Sequence, residues 1–126
     1  MSWQAYVDTN LIGTGKVSQA AILGQQGGVW ATSSGFNLSP DEQKAVIAAY
    51  TNPEAVRATG IRLAGQKYFT LQANERSIYG KKGTDGCVLV KTKQAILVAV
   101  SKEPIQAQEA INVVEALGDY LISVGY

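Results

Sequence analysis

The chain predicts an α+β domain built on a central antiparallel sheet, with a helix at each end of the sequence. Three observations predict it. Residues 61–100 form a run of strand-like segments punctuated by glycine, with connections too short for helical crossovers. Ala110, Val114, Leu117 and Leu121 recur at spacings of four, three and four, which is one apolar face of a long helix. "SPDE" at 39–42 combines a capping serine, a proline suited to the first helical turn and two acids at its start.

The elements follow in order. Residues 2–11 read as a short helix that Ser2 can cap and that Gly13 and Gly15 stop. "VSQAAIL" (17–23) and "GVWATS" (28–33) read as two strands joined by the glycine-bearing turn "GQQG". The helix opened by Ser39 runs to about Tyr50, and a second short one follows Pro53. "IRLAG", "QKYFTLQA", "RSIYGKK", "GCVLVKT" and "AILVAV" are antiparallel strands, with "ANER" and "KGTDG" as turns. From Pro104 onward the chain is helical. No repeat, linker or low-complexity segment divides it, so residues 1–126 form one domain.

Composition narrows the function. Apolar residues make up 46% of the 126 and charged residues 17%, the balance of a globular chain. No window approaches the ~18 uninterrupted apolar residues of a membrane span, and no basic segment leads into an apolar one at the start, so an intracellular protein is expected. The lone Cys87 fits a reducing compartment and reads as a small buried strand residue. There is no histidine, which removes Ser-His and Cys-His nucleophiles, histidine metal sites and imidazole acid–base catalysis. Lysine or carboxylate chemistry stays open, but an enzyme is not the expected class, and no catalytic residue, metal or cofactor is assigned.

The net charge of +1 hides a separation. Residues 57–93 carry +6, residues 1–56 carry −2, and four acids without a base follow Lys102. A basic middle suits a partner of acidic character. Nucleic acid would call for more bases and several stacking rings, so it is not the expected partner.

Two motifs raise chemistry. "GTGK" (13–16) lacks the preceding strand, the four-residue spacing and the following Ser or Thr of a phosphate loop, and reads better as a helix-to-strand turn. "RSIYGKKGTDG" (76–86) sets Arg76, Lys81 and Lys82 around Tyr79 on a hairpin. Strand alternation puts Ser77, Tyr79 and Lys81 on one face and Arg76, Ile78, Gly80 and Lys82 on the other.

The aromatic residues form a second pattern. Trp3 and Tyr6 share a helix face, Trp30 lies in an early strand, and Tyr120 and Tyr126 belong to the last helix and its end. Two terminal helices packed side by side would bring these rings together as packing or as grooves for a polyproline II helix. Such a ligand is already extended and costs little entropy to order.

The chain resembles the profilins, their fungal branch in particular, from end to end. The resemblance rests on "MSWQAYVDTNLIGTGKV", "GVWATS", "SPDE", "GIRLAGQKYFTLQANERSIYGKKG", "VKTKQAILVAV" and "VVEALGDYLISVGY". It implies the terminal helices together on one face of the sheet and short helices on the other. It implies an actin-monomer-binding regulator of the cytoplasm and cytoskeleton, itself monomeric, that binds actin one to one and links it to proline-rich segments of formins. For proline-rich peptides it implies Trp3, Tyr6, Trp30, Tyr120, Leu121 and Tyr126. For actin it implies Arg76, Tyr79, Lys81, Lys91, Lys93, Gln106 and Asn112, on the side opposite the aromatic site. For phosphatidylinositol 4,5-bisphosphate it implies Arg76, Lys81 and Lys82. The alternative reading makes the phosphoinositide site primary, as a membrane-surface module, and actin binding secondary.

Overall fold

The structure, a computed structural model, describes residues 2–126. Seven strands form a single antiparallel sheet: β1 (Gln19–Gly24), β2 (Val29–Thr32), β3 (Ile61–Leu63), β4 (Gln66–Ala73), β5 (Ser77–Lys82), β6 (Asp85–Lys91) and β7 (Ala95–Ser101). Their spatial order is β2-β1-β7-β6-β5-β4-β3. Every neighbouring pair except β1–β7 is a hairpin or a short connection. The β1–β7 ladder, from Gln19↔Val100 to Gly24↔Ala95, joins the two ends of the strand sequence.

The first helix is less regular than its sequence suggests. α1 (Trp3–Ala5) begins where the Ser2 hydroxyl accepts from Ala5 N–H. It widens into a π-type turn over Tyr6–Leu11, closed by Ile12 N–H donating to Val7 O, and tightens into a 3-10 turn over Ile12–Thr14. Gly15, at φ 75°, then turns the chain toward β1. "GTGK" is that turn, and Lys16 Nζ pairs with Glu109 Oε2 at 2.5 Å.

Two further helices lie between β2 and β3. α2 (Pro40–Ala49) starts in a capping box: Ser39 Oγ accepts from Glu42 N–H while Glu42 Oε1 accepts from Ser39 N–H. The same carboxylate accepts from Ala64 N–H (3.1 Å) and Gly65 N–H (2.7 Å), holding the two-residue β3–β4 turn. That turn needs holding, because Ala64 sits at φ 51° and Gly65 at φ 81°. α3 (Pro53–Thr59) is capped by Asn52. The last helix, α4 (Ala107–Ser123), begins three residues after Pro104.

Each face of the sheet has its own core. Leu23, Phe36, Val46, Tyr50, Val56, Ile78, Leu89, Ile96 and Val98 pack under α2 and α3. Val7, Leu11, Ile22, Val88, Val90, Leu97, Val114, Leu117 and Leu121 pack under α1 and α4. β7 supplies both sides and is buried throughout, which is why an antiparallel strand reads "AILVAV" without polar alternation. Helix α4 lies close against the sheet at Gly118, where an added Cβ would stand 2.8 Å from Val90 Cγ1.

Candidate functional site

The aromatic residues meet on the face covered by α1 and α4. Trp3 is their centre, with ring centroids 4.9 Å from Trp30, 5.4 Å from Tyr126 and 5.7 Å from Tyr6. Tyr6 continues the row to Tyr120 at 6.4 Å. Their planes are tilted by 49–79°, and Trp3 and Tyr126 meet edge to face, an arrangement ring quadrupoles favour. Trp30, Tyr126 and Tyr120 remain exposed and Trp3 is half-buried, whereas Tyr6 is 7% exposed and forms the floor. Burial, with the nearby Tyr120 and Tyr126 phenols, pushes the Tyr6 hydroxyl above its ordinary value. It stays protonated.

The backbone explains why the rings face outward. In the β1–β2 ladder Ile22 pairs with Ala31 and Leu23 with Val29, so Trp30 is the extra residue of a β-bulge. Its indole is turned over Gly24, where a Cβ would stand 2.6–2.8 Å from ring atoms. Gln4 Nε2 donates to Thr32 O at 2.9 Å and ties α1 to β2. Tyr126 is fixed by the end of α4. Its N–H donates to Leu121 O and Gly125 N–H to Ile122 O, around Gly125 at φ 93°. Tyr126 O in turn accepts from Gln94 N–H (2.7 Å) and Thr92 Oγ1 (2.8 Å).

Leu121 corrects one expectation. It is wholly buried on the inner side of α4, in the same core as Tyr6, and cannot touch a ligand. Its place in the apolar spacing of the helix already pointed inward.

A second surface lies on the other side of α4, on the same face of the sheet. Arg76 Nη2 pairs with Asp119 (2.7 Å) and Glu115 (3.2 Å). Ser77 Oγ donates to Glu115 at 2.7 Å, and the Tyr79 hydroxyl donates to the same carboxylate. The Asp119 hydrogen bond is foremost in holding the Arg76 guanidinium above its ordinary pKa. Burial first, then the bond to Glu115, raises the Tyr79 phenol. Ser77 and Tyr79 therefore share a face as expected, but Arg76 joins them instead of opposing them. Asn74 Oδ1 accepts from Arg76 N–H and Ser77 N–H, so the pleat starts only at Ser77 and Arg76 is free to turn toward α4.

Beyond Tyr79 the sheet is uncovered. Phe69 pairs directly with Lys81, and Leu71 is the extra residue of a second bulge, between Thr70↔Gly80 and Gln72↔Tyr79. Both are strongly exposed, Phe69 at 71% and Leu71 at 66%. Sequence reading missed them, although strand alternation against buried Tyr68 signals Phe69. A cleft of about 440 Å³ adjoins them, lined by Leu71, Lys81, Thr84 and Glu103 through Ala107, including Gln106. Asn112 is exposed on α4 and accepts from Gln108 Nε2.

Three basic residues depart from the expected grouping. Lys91 follows Cys87 and Leu89 onto the α2–α3 face, with its Nζ 5.9 Å from the Tyr50 ring centroid. Lys93 lies in the β6–β7 turn beside Trp30, away from Tyr79. Arg76 precedes β5 while Lys81 and Lys82 end it, about 3.3 Å per residue away, and Lys82 is bonded to Gln66. Arg76, Lys81 and Lys82 therefore do not form one phosphate-sized cluster. Cys87 is buried, and burial pushes its thiol up to about 12. Among the described residues no cluster of His, Cys, Asp and Glu could hold a metal ion, and no helix is long and apolar enough to cross a membrane.

A single antiparallel sheet with both termini's helices on one face, and exposed rings between them, defines a small α+β fold with a solvent-facing aromatic surface. The family model described as Profilin matches residues 1–126. Profilin-1B of Acanthamoeba castellanii is 57% identical over the full length of both chains. The profilin of Schizosaccharomyces pombe is 53% identical, again over both full lengths. The chain belongs to the profilin family. Solved structures agree: Acanthamoeba castellanii profilin IB superposes with a TM-score of 0.96 over 99% of this chain and 100% of that one. A Schizosaccharomyces pombe profilin reaches 0.97 at the same coverage and 52% identity. Mouse profilin IIa, solved in complex with a double repeat from the FH1 domain of mDia1, shares the fold with a TM-score of 0.83, 20% identity and full coverage of both chains.

Proposed function

We propose that this chain is an actin-monomer-binding regulator of the cytoskeleton that links actin, one to one, to proline-rich assembly factors of the formin type. It promotes or restrains polymerisation according to its concentration. It works in the cytoplasm as a monomeric, non-enzymatic adaptor. The observation that carries this reading is the row Tyr120–Tyr6–Trp3–Trp30, with Tyr126 against Trp3, open to solvent on one side of α4.

The row suits a polyproline II helix. Its tilted rings offer grooves for pyrrolidine rings, and phenol and indole hydrogens donate to the ligand's carbonyls. Trp3, Tyr6, Trp30, Tyr120 and Tyr126 carry that contact. Mouse profilin IIa was solved with an FH1 repeat, the partner class proposed here.

The surface on the far side of α4 suits actin. Phe69, Leu71 and Tyr79 supply apolar area, Lys81 a charge, and Gln106 and Asn112 polar contacts, while Arg76 and Glu115 hold Tyr79 in place. An apolar centre with a polar rim is how protein interfaces are composed. Because the two surfaces flank one helix without overlapping, both partners can be held at once. Phosphatidylinositol 4,5-bisphosphate is an additional ligand of the exposed Lys81–Lys82 end; Arg76 is already neutralised by two carboxylates.

The test is a proline decamer titration followed by tryptophan fluorescence, repeated with the protein saturated by monomeric actin. Binding in both conditions supports the adaptor. Loss of either ligand, or mutual exclusion, overturns it.

A further inference from the structure

Beyond Trp30 the aromatic row opens into a cavity of about 310 Å³ between the β1–β2 and β6–β7 turns, lined by Gly24, Gln25, Trp30, Lys93 and Gln94 among others. Hydrogen bonds tie its walls together. Gln25 N–H donates to Gln94 O at 3.1 Å, the Gln25 side chain donates to Thr92 O, and Gln94 N–H donates to Tyr126 O. Lys93 thus stands between two anchored neighbours, and its exposed ammonium makes no hydrogen bond or ion pair among the described residues.

Thr92 Oγ1 and Gln94 N–H, on either side of Lys93, hold the main-chain oxygen of Tyr126, and the strands and turns around the cavity add no acidic side chain. No Asp or Glu occurs between Asp8 and Asp41, nor between Asp85 and Glu103, so β1, β2, β7 and both turns carry no carboxylate side chain. Asp8 receives a hydrogen bond from Gln4, and Asp119 is held by Arg76. A proline run is neutral and leaves Lys93 unanswered at one end of its track.

We propose that Lys93 is a specificity-determining residue that selects proline-rich segments bordered by an Asp or Glu. The flanking carboxylate enters the cavity past Trp30 and pairs with Lys93. This rests on the proposed proline-binding reading and deepens it. One unit-charge pair at a partly exposed site is worth a few-fold in affinity and weakens with salt. It therefore tunes the choice among proline-rich segments without creating binding by itself.

The experiment titrates the protein with a plain proline decamer and with decamers carrying two glutamates at the amino flank or at the carboxyl flank. Each series is run at low and at physiological ionic strength, for the natural chain and for Lys93→Gln. The expected result is about two- to five-fold tighter binding of one acidic-flanked peptide at low salt. That gain shrinks with added salt and disappears in Lys93→Gln, while the plain decamer binds both proteins alike. Equal binding of all three peptides by the natural chain, or a gain that survives Lys93→Gln, overturns the proposal. Failure of the plain decamer to bind at all would instead overturn the proline-binding reading beneath it.

Discussion

The indole of Trp3 lies 4.9 Å from that of Trp30, centroid to centroid, although one belongs to α1 and the other to a bulge in β2. Neither element could aim its ring alone. Gln4 ties the helix to the strand, and Gly24 leaves room for the indole that the bulge turns outward.

Trp3→Ala should weaken oligoproline binding about tenfold or more, because it removes the ring that every other member of the row touches except Tyr120. Circular dichroism should report a folded protein, and fluorescence of the remaining Trp30 provides the titration signal. Normal peptide affinity in a folded variant would exclude Trp3 from the site.

Gly24→Ala tests the same geometry without touching a ring. The new methyl would stand 2.6–2.8 Å from the Trp30 indole, so the indole must move. Peptide affinity should fall while the actin complex, measured by sedimentation, is unchanged. An unaltered peptide titration would mean that Trp30's position does not matter.

Tyr79→Arg should weaken the actin complex by about tenfold and spare peptide binding, since it removes the ring that supplies apolar area and the phenol's bond to Glu115, and sets a second cation beside Arg76. Parallel titrations with actin and with oligoproline check this. Loss of both ligands would point to a disturbed α4 instead.

Glu42→Ala should cost about 1–2 kcal/mol of stability, the worth of a helix cap, and the β3–β4 turn loosens with it. Burial pushes this carboxyl up, but hydrogen bonds from Gly65, Ser39 and Ala64 N–H outweigh that and hold it below its ordinary value. Its contribution is therefore present above the ordinary carboxylate pKa and lost as pH falls through the lowered one. Urea melts at pH 7 and pH 3 should show the gap between natural chain and variant narrowing in acid.

Gly118→Ala should destabilise by about 1 kcal/mol despite the higher helix propensity of alanine, because overpacking costs more. The methyl would meet Val90 Cγ1 at 2.8 Å, and Val90 is a stiff, fully buried side chain. A thermal melt decides the sign; a raised midpoint would mean that α4 can lift freely.

The fold was legible in the chain to the extent that signals were local. The Ser39 cap, the four-three-four spacing of α4 and the glycine-bound strand runs each depend on neighbours within a turn or two. The bulges at Trp30 and Leu71 were not, because an extra residue exists only relative to a partner strand's register. The side taken by Lys91 was not legible for a related reason. Both faces of β6 are covered, so Val88 and Val90 look the same as Cys87 and Leu89, and nothing local says which face Lys91 follows. Leu121 is the contrary case: its inward direction was readable in its spacing.

The β1–β7 ladder has a consequence for how the chain is made. Strand β1 is synthesised about seventy residues before its partner β7, so one whole edge of its backbone waits for Ala95–Val100. Until then the nascent chain displays an apolar strand with bare amides and carbonyls, and that is when chaperones matter most. A fragment stalled before Ala95 would keep that edge permanently, a template for aggregation that the finished protein hides completely.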